Sequence, residues 1–435
     1  MDILIWHRYM TDLCVGCGIC LGLCPTNAIS LKTNNVLTVN FDHSRCIKCN
    51  LCVKACPALS NFYRENPTIT DVLGTIEKVF FGYSTNDKIR YHAASGGVVT
   101  SLLLYMLKQK IVDKVLVTKM DSFTATPILT DNKNDVISAQ GSIYFKTFSL
   151  RILKKLLSNL KKGKRICIVG LPCQISALKK VLGSFRDKLY FIGLICGHVN
   201  EIWYLRHIFK KYLPKNAEPV AIGPRKDGWP GKLKLFFKLN NNNNFEELDV
   251  PLLEFWGPLP RLNISSPLGC LLCADHFASA ADIVAGDAWH PKFSGSSPGV
   301  SIIIARTPKG LKLIETAIKN EVLYTEEADL CDLLIAYGHH LIEGKQYAPF
   351  RQRLLQHRIA ILRELNKIDN IIVLLLTIIT THLLKFKLIR QLLSTFPAEK
   401  TLRYASWFLS RQKYRKRIQV TSLLMNKSKI LSKQQ

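Results

Sequence analysis

The sequence predicts a cysteine-rich α+β module, followed by an α/β domain with a mixed, largely parallel sheet and by a basic helical C-terminal tail. Two cysteine runs define the module, alternating strand and helix patterns define the α/β domain, and a rise in positive charge defines the tail. A chain of 435 residues has room for two or three domains. We therefore divide it into residues 1–70, 75–345 and 346–435.

Eight of the fourteen cysteines form two runs with the same spacing, C-x2-C-x2-C-x3-C-P. Three thiolates at this pitch bind one face of an iron–sulfur cube, while the fourth, just before a proline, reaches the other cube. Zinc favours two separated Cys-x2-Cys pairs, so the spacing indicates a ferredoxin-like module with two 4Fe-4S clusters. One cluster is assigned to Cys14, Cys17, Cys20 and Cys56, and the other to Cys46, Cys49, Cys52 and Cys24.

Short apolar runs rich in β-branched residues alternate with helical patterns after residue 75. This order predicts β-α-β units, whose parallel strands and crossover helices define an α/β core. Alternating segments also predict two hairpins, one inside the cysteine module and one with residues 240–244 as a loop without function. The predicted strands are Ala28–Leu31, Val36–Val39, Lys78–Tyr83, Lys114–Thr118, Arg165–Gly170, Leu189–Ile195, Lys232–Leu239, Phe245–Leu252 and Ala281–Asp287, and the predicted helices are Gly97–Lys108 and Cys173–Leu182.

Four further cysteines are candidates for a third site. Cys173 and Cys196 each follow a predicted strand directly, and parallel pairing of the two strands would bring both thiols to one sheet edge. Cys270 and Cys273 add a Cys-x2-Cys pair. These four residues could bind a third cluster, or they could be reduced cysteines in the core. The start of the predicted helix should favour the thiolate form of Cys173.

Five motifs of the middle region are Ala94–Thr100, Gly170–Gln174, Ile195–Gly197, Cys270–Asp275 and Ala281–Trp289. Their order resembles the beta subunit of coenzyme F420 hydrogenase/dehydrogenase, a family of iron–sulfur flavoproteins. The resemblance covers about residues 75–310, so the basic tail lies outside it. No hydrogenase or formate dehydrogenase is fused to the chain, which leaves the substrate open.

The resemblance implies an FAD in the α/β domain, with a cluster bound close by through Cys173, Cys196, Cys270 and Cys273. In this family the flavin exchanges a hydride with a diffusible partner, often the deazaflavin coenzyme, and passes single electrons to the clusters. Glycines allow close approach of the backbone, and a helix N-terminus attracts phosphate oxygens. The candidate flavin contacts are therefore Ser95, Gly96, Gly97 and Thr100, and no catalytic residue is assigned.

Several other residues are weaker candidates. Arg225, Lys226, Gly228 and Trp229 could bind an anion or form a solvated turn, and Gln140–Tyr144 could contact the flavin or form a turn into a strand. Asp287, Trp289 and His290 follow a predicted strand, where α/β sites usually lie, and His290 could donate a proton. Cys167 and Cys331 lie in apolar runs and are interpreted as core residues.

The net charge of +28 is concentrated in the tail, where residues 350–435 contain 18 Lys and Arg against three acids. Its apolar run, residues 371–379, is short of the roughly 20 residues that cross a bilayer. A basic, partly apolar helix fits a membrane surface, an acidic protein partner or a solvated cap, and no motif indicates specific nucleic acid binding. No signal peptide is visible and cluster thiols must stay reduced, so we expect a cytoplasmic protein, peripheral to the inner membrane face if the tail binds there.

Three functions remain open at this point. The first is a flavin and iron–sulfur oxidoreductase acting on a hydride carrier or a small organic molecule. The second is an electron-transfer subunit that feeds a separate enzyme through the two N-terminal clusters. The third is a redox adaptor held at a membrane surface by the tail.

Overall fold

The structure is a computed structural model that describes residues 13–32, 37–60, 68–239, 245–256 and 265–342, together with positions 344, 348, 349 and 352. The predicted basic helical tail therefore lies outside the described residues, apart from three positions, as do both predicted hairpin tips. Among the residues described, no helix is both long and apolar enough to span a membrane.

Every strand and helix predicted from the sequence before the tail overlaps an element of the described residues. The strands are β1 (Ile29–Lys32), β2 (Thr38–Phe41), β3 (Lys78–Ser84), β4 (Lys114–Asp121), β5 (Thr124–Thr130), β6 (Ile166–Gly170), β7 (Leu189–Leu194), β8 (Ala217–Ile222), β9 (Lys232–Leu239), β10 (Phe245–Pro251), β11 (Ile283–Asp287), β12 (Ser301–Ala305) and β13 (Leu323–Ala328). The helices are α1 (Ile19–Leu23), α2 (Leu51–Ala55), α3 (Pro57–Ser60), α4 (Ile69–Leu73), α5 (Asp87–Tyr91), α6 (Val98–Lys108), α7 (Lys133–Ser138), α8 (Leu153–Lys161), α9 (Pro172–Val181), α10 (Ile202–Tyr212), α11 (Leu252–Phe255), α12 (Leu268–Leu271), α13 (Pro308–Lys319) and α14 (Leu330–Ile342), with 3-10 turns at Ser149–Ile152, Gly183–Lys188 and Pro291–Phe293.

An eight-stranded sheet in the order β13-β3-β12-β11-β7-β6-β4-β5 forms the centre of the α/β domain. Parallel pairing is confined to the block β11-β7-β6-β4, and both flanks of this block pair antiparallel. The prediction of a mixed sheet is confirmed, and the antiparallel flanks qualify its largely parallel character. The reason is the connection between β11 and β12, which contains only a 3-10 turn, whereas a parallel return needs a longer crossover.

The two faces of the large sheet bury different partners. Along β12, Ile303 packs in one apolar cluster with α6 and α13, while Ile302 and Ile304 pack in another with α9 and the cysteine module. This division follows from the two-residue period of a strand, which sends successive side chains to opposite faces. The module therefore shares its core with one face of the sheet.

Backbone contacts fix the cysteine module on the α/β domain. The N–H groups of Phe148 and Leu150 donate to the carbonyls of Gly16 and Cys17, at 2.7 and 3.0 Å. A Cβ on Gly269, in α12, would lie 2.0 Å from the carbonyl oxygen of Leu13, so only glycine permits this approach. A second, three-stranded antiparallel sheet of β8, β9 and β10 contains the predicted hairpin.

Candidate functional site

The thiols of the first cysteine run gather around Cys56 of the second. Burial and then repulsion from neighbouring thiols raise the pKa of Cys17 and of Cys20, and Cys14 and Cys56 are among the neighbours of both. The helix that carries Cys20 begins after Gly18, whose φ of +83° and contact with the Phe148 carbonyl exclude a side chain. The donor set consists entirely of sulfur, which fits an iron–sulfur cluster.

The second group of thiols is more accessible to solvent. Burial, and then the thiols of Cys49 and Cys46, raise the pKa of Cys52 to about 12, while Cys49 itself is exposed. Cys24 accepts the N–H of Ala28 at 3.2 Å, and its pKa is lowered because hydrogen bonds outweigh its partial burial. Cys52 also acts on Cys20, so the two groups adjoin each other.

Cys173, Cys196, Cys270 and Cys273 converge at the carboxyl edge of the parallel block. Strands β6 and β7 pair in parallel and end just before Cys173 and Cys196, as the sequence predicts. The thiols interact electrostatically in every pairing of the four, and burial together with this repulsion raises the pKa of Cys196 and of Cys270 to about 12. This third thiol group joins residues that are distant in the sequence.

Cys173 lies in the first turn of α9, as the sequence predicts, but two larger effects oppose the helix N-terminus. Burial, followed by the neighbouring thiols of Cys17, Cys196, Cys273 and Cys270, raises the pKa of Cys173 well above its ordinary value. Within the described ranges, no three His, Cys, Asp or Glu side chains are placed as ligands of a single metal ion. The effect of Cys17 on Cys173 shows that the third group adjoins the first.

A cavity of about 790 Å³ lies at the same sheet edge. Its walls include the ends of three neighbouring strands, at Gly170, Leu194 and Asp287, and the start of helix α6 at Gly97. Ligand cavities of proteins commonly have volumes of about 300–1,000 Å³ and bind at this edge of an α/β sheet. Cys196 lies in the wall, so the cavity and the third thiol group share a boundary.

A buried ion pair borders the cavity. Arg225, whose side chain is 1% exposed, donates through Nη2 to both carboxylate oxygens of Asp287 at 2.8 and 3.1 Å, and to the carbonyl of Ala94 at 2.5 Å. The indole N–H of Trp229 donates to Asp287 at 3.0 Å. Burial alone would lower the pKa of Arg225, but Asp287 and then Tyr144 raise it, so the guanidinium stays charged beside the cavity.

The structure divides the predicted flavin contacts. Ser95, Gly97 and Thr100 line the cavity, but Gly96 does not: its N–H donates to the hydroxyl of Ser301 at 3.0 Å, and a Cβ there would lie 2.6 Å from the carbonyl of Gly82. Gly96 therefore serves close packing on the sheet.

Only some of the weaker candidate residues line the cavity. Gln140–Tyr144, Arg225, Asp287 and Trp289 line the cavity, whereas Lys226, Gly228 and Trp229 do not. His290 lies outside the wall as well, with its Nε2 3.4 Å from Asp332. Cys167 is buried as expected, but the core assignment of Cys331 is wrong, because this thiol lies exposed on the first turn of α14.

Sequence reasoning missed the wall that α14 contributes. Tyr337, His339 and His340 line the cavity, and the hydroxyl of Tyr337 donates to the carbonyl of Asp287 at 2.7 Å. The ring of His340 stacks on His276, with centroids 5.0 Å apart. Two adjacent histidines in an otherwise apolar helical run were the available signal.

A two-cluster module packed on an α/β domain, with the thiol of Cys196 in the wall of its cavity, defines an iron–sulfur redox protein. Family models agree with this class. The model for the N-terminal part of the coenzyme F420 hydrogenase/dehydrogenase beta subunit matches residues 79–154, and the model for its C-terminal part matches residues 163–330. The model for a 4Fe-4S dicluster domain matches residues 13–59. The chain belongs to the coenzyme F420 hydrogenase/dehydrogenase beta-subunit family, which confirms the resemblance.

Curated relatives are distant but span most of the domain. An uncharacterised protein of Methanocaldococcus jannaschii is 26% identical over 74% of this chain and 91% of its own length. The coenzyme F420 hydrogenase subunit beta of Methanococcus voltae is 26% identical over 59% of this chain and 86% of its own. The coenzyme F420-dependent sulfite reductase of M. jannaschii is 28% identical over 54% of this chain but only 36% of its own length. Sequences similar to this chain therefore occur in proteins named for different activities.

Proposed function

We propose that the protein is an iron–sulfur flavoprotein oxidoreductase that passes electrons between a hydride carrier of the deazaflavin class and 4Fe-4S clusters. The observation that carries this proposal is the position of Cys196 in the cavity wall. A bound FAD would accept electrons as hydride and release them singly, which suits a site between a hydride carrier and clusters.

The proximity of neighbouring thiol groups supports a continuous electron path. The third group adjoins the first through Cys173 and Cys17, and the first adjoins the second through Cys20 and Cys52. Electrons that enter at the cavity would therefore cross the third, first and second sites in that order. The path would end at Cys49, which is exposed to solvent.

The cavity residues fit a bulky anionic cofactor. Gly97 brings the N-terminus of the 11-residue helix α6 to the wall, where backbone N–H groups can bind phosphate oxygens. The Arg225 guanidinium borders the cavity and Asp287 orients it, while apolar residues such as Val99 and Leu194 line the rest. These residues would hold the cofactor, exclude water and leave one ring face to a hydride carrier.

Anaerobic iron and flavin analysis tests the proposal. We expect about twelve irons per chain, four in each of three clusters, together with one FAD whose absorbance is bleached by a reduced deazaflavin. About eight irons with no flavin would contradict it.

A charge variant makes the test specific for the cavity. Gly97→Asp places a carboxylate at the helix N-terminus and should abolish FAD binding while leaving the iron content unchanged. The control for the left-handed backbone is Gly163→Asp, because Gly163 also has a positive φ, +84°; a Cβ there would meet no atom within 4 Å, whereas one at Gly97 would lie 3.1 Å from the carbonyl oxygen of Ile89. Equal flavin loss in both variants would remove the cavity as the flavin site.

A second function, delivery of electrons to a separate protein, is favoured by the surface around Cys49. Ile47 and Leu51 are 63% and 42% exposed beside this thiol, although apolar side chains of this size usually pack inside. Exposed cations lie close to them in the sequence at Arg45, Lys48 and Lys54, against one exposed acid at Asp42. An apolar centre with a basic rim suits an acidic one-electron carrier protein.

Binding to a purified acidic two-cluster ferredoxin tests this second function. Reversing three charges, with Arg45→Glu, Lys48→Glu and Lys54→Glu, should weaken the Kd at low salt by about tenfold or more, since steering by charge is lost. The control reverses three exposed lysines on α6 and α13, Lys108, Lys312 and Lys319. Equal weakening by the control, or no binding to the unaltered protein, would contradict delivery to an acidic protein at this surface.

A further inference from the structure

Lys146 is a cation buried between two thiol groups. Its residue is 3% exposed, and its ammonium donates to Glu201 Oε1 at 2.7 Å. Lysine is almost never fully buried unless it is paired, so this position needs a physical reason. Lys146 belongs to neither the cavity wall nor the set of predicted site residues.

The first thiol group lies on one side of Lys146. A Cβ on Gly16 would lie 2.5 Å from Cβ of Lys146, so the lysine stem packs directly on the turn between Cys14 and Cys17. The segment that follows the lysine is held there, because the Phe148 N–H donates to the Gly16 carbonyl. Burial raises the pKa of Cys14, and the charge of Lys146 lowers it.

The third thiol group lies on the other side. Lys146 also lowers the pKa of Cys270, against the larger effects of burial and of Cys196. Thr147, the next residue, lines the cavity and accepts the side-chain N–H of Gln174, which is adjacent to Cys173 in α9. One short segment therefore packs on the turn of the first thiol group, accepts a hydrogen bond from the neighbour of Cys173 and lines the cavity.

We propose that the positive charge of Lys146 raises the reduction potentials of the two iron–sulfur clusters on either side of it. A fixed positive charge stabilises the extra electron of a reduced cluster, and a buried charge is screened less than one in water. This inference rests on the proposed function for the third cluster, whereas the first cluster belongs to the matched dicluster domain.

The negative charge of Glu201 opposes the effect of Lys146 on the cluster potentials. Its carboxylate is 15% exposed and raises the pKa of both Cys14 and Cys270, opposite in sign to the lysine. Removal of the lysine charge alone should therefore lower both cluster potentials, and removal of the carboxylate charge alone should raise them.

Redox titration followed by paramagnetic resonance of the intact, cluster-loaded protein tests the proposal. For Lys146→Met we expect the one-electron equilibrium constant of the affected clusters to fall about tenfold, which is a shift of about 59 mV to lower potential. Lys146→Arg should restore the potentials, since it keeps the charge. Lys155→Met, on the exposed face of α8, should leave them unchanged.

The double variant Lys146→Met with Glu201→Gln protects the test against misfolding, because it leaves no unpaired buried charge. Its potentials should lie between those of the two single variants. Iron analysis separates the two hypotheses: about eight irons in the unaltered protein would remove the third cluster, and the first cluster alone would then report on Lys146. Unchanged potentials in Lys146→Met with full iron content would overturn the inference.

Discussion

The first thiol group contains three cysteines, Cys14, Cys17 and Cys20, that lie within one turn and a short helix. In the third group, Cys173 and Cys196 meet only because two parallel strands end at one sheet edge, and α12 brings Cys270 to them from a distant part of the chain. The first arrangement depends on local backbone geometry, such as the left-handed glycine before α1. The second depends on the fold of the whole α/β domain. A local site can assemble early and alone, while a topological site exists only after the domain has folded.

The largest expected effect separates the two kinds of site by iron content. Cys196→Ala should reduce iron from about twelve to about eight per chain, because only the proposed cluster at the sheet edge would lose a ligand. Cys56→Ala should remove the same amount, but from the cluster of the first run. Anaerobic iron analysis measures both, and loss of nearly all iron in either variant would show that the sites are not independent.

The buried ion pair tests how far the sheet edge depends on charge. Asp287→Asn leaves the Arg225 guanidinium unpaired, so we expect a loss of about 3–5 kcal/mol in the free energy of unfolding. Asp249→Asn is the control, because Asp249 pairs with Lys232 at a largely exposed position, where a pair contributes about 0–1 kcal/mol. Urea denaturation compares the two, and equal losses would mean that Arg225 finds another partner.

A glycine at the junction tests how closely the two regions must approach. Gly269→Ala places a methyl group against the Leu13 carbonyl and should cost about 1–3 kcal/mol of stability through overpacking. Gly183→Ala is the matched control, since a Cβ there meets no atom within 4 Å, and should change stability by about 0.5 kcal/mol or less. Thermal unfolding measures the difference, and similar values would show that the module shifts without cost.

The least direct test concerns pH in the cluster-free protein. Burial raises the pKa of Cys196 and of Cys270 to about 12, above the roughly 8.5 of an unfolded thiol. The folded state therefore keeps protons that the unfolded state releases, and its stability should fall as pH rises from about 9 towards 12. Each thiol contributes at most about 1.4 kcal/mol per pH unit in this window.

Urea denaturation of the cluster-free protein at pH 7.5, 9 and 10 measures this slope. The variant with Cys196→Ser and Cys270→Ser should lose stability less steeply above pH 9 and follow the unaltered protein below it. Identical slopes above pH 9 would contradict the contribution of these two thiols.

The same contrast explains what the sequence could predict. The spacing of the N-terminal cysteines and the strand ending at Gly170 specify their structures locally, so both were predictable. The wall formed by Tyr337 and His340 was not, because the helix that follows β13 packs back on the cavity through tertiary contacts. Cys331 was misassigned for a related reason: an apolar run does not reveal which side of a helix faces the core.

The third thiol group has a mechanical consequence. Its members come from three separate segments between Cys173 and Cys273, so a cluster bound there would cross-link the loop of the chain that they enclose. Closing a long loop restricts the unfolded chain, and a site that forms only in the folded state adds its binding energy to folding. Iron supply would then govern the lifetime of the α/β domain as well as its ability to conduct electrons.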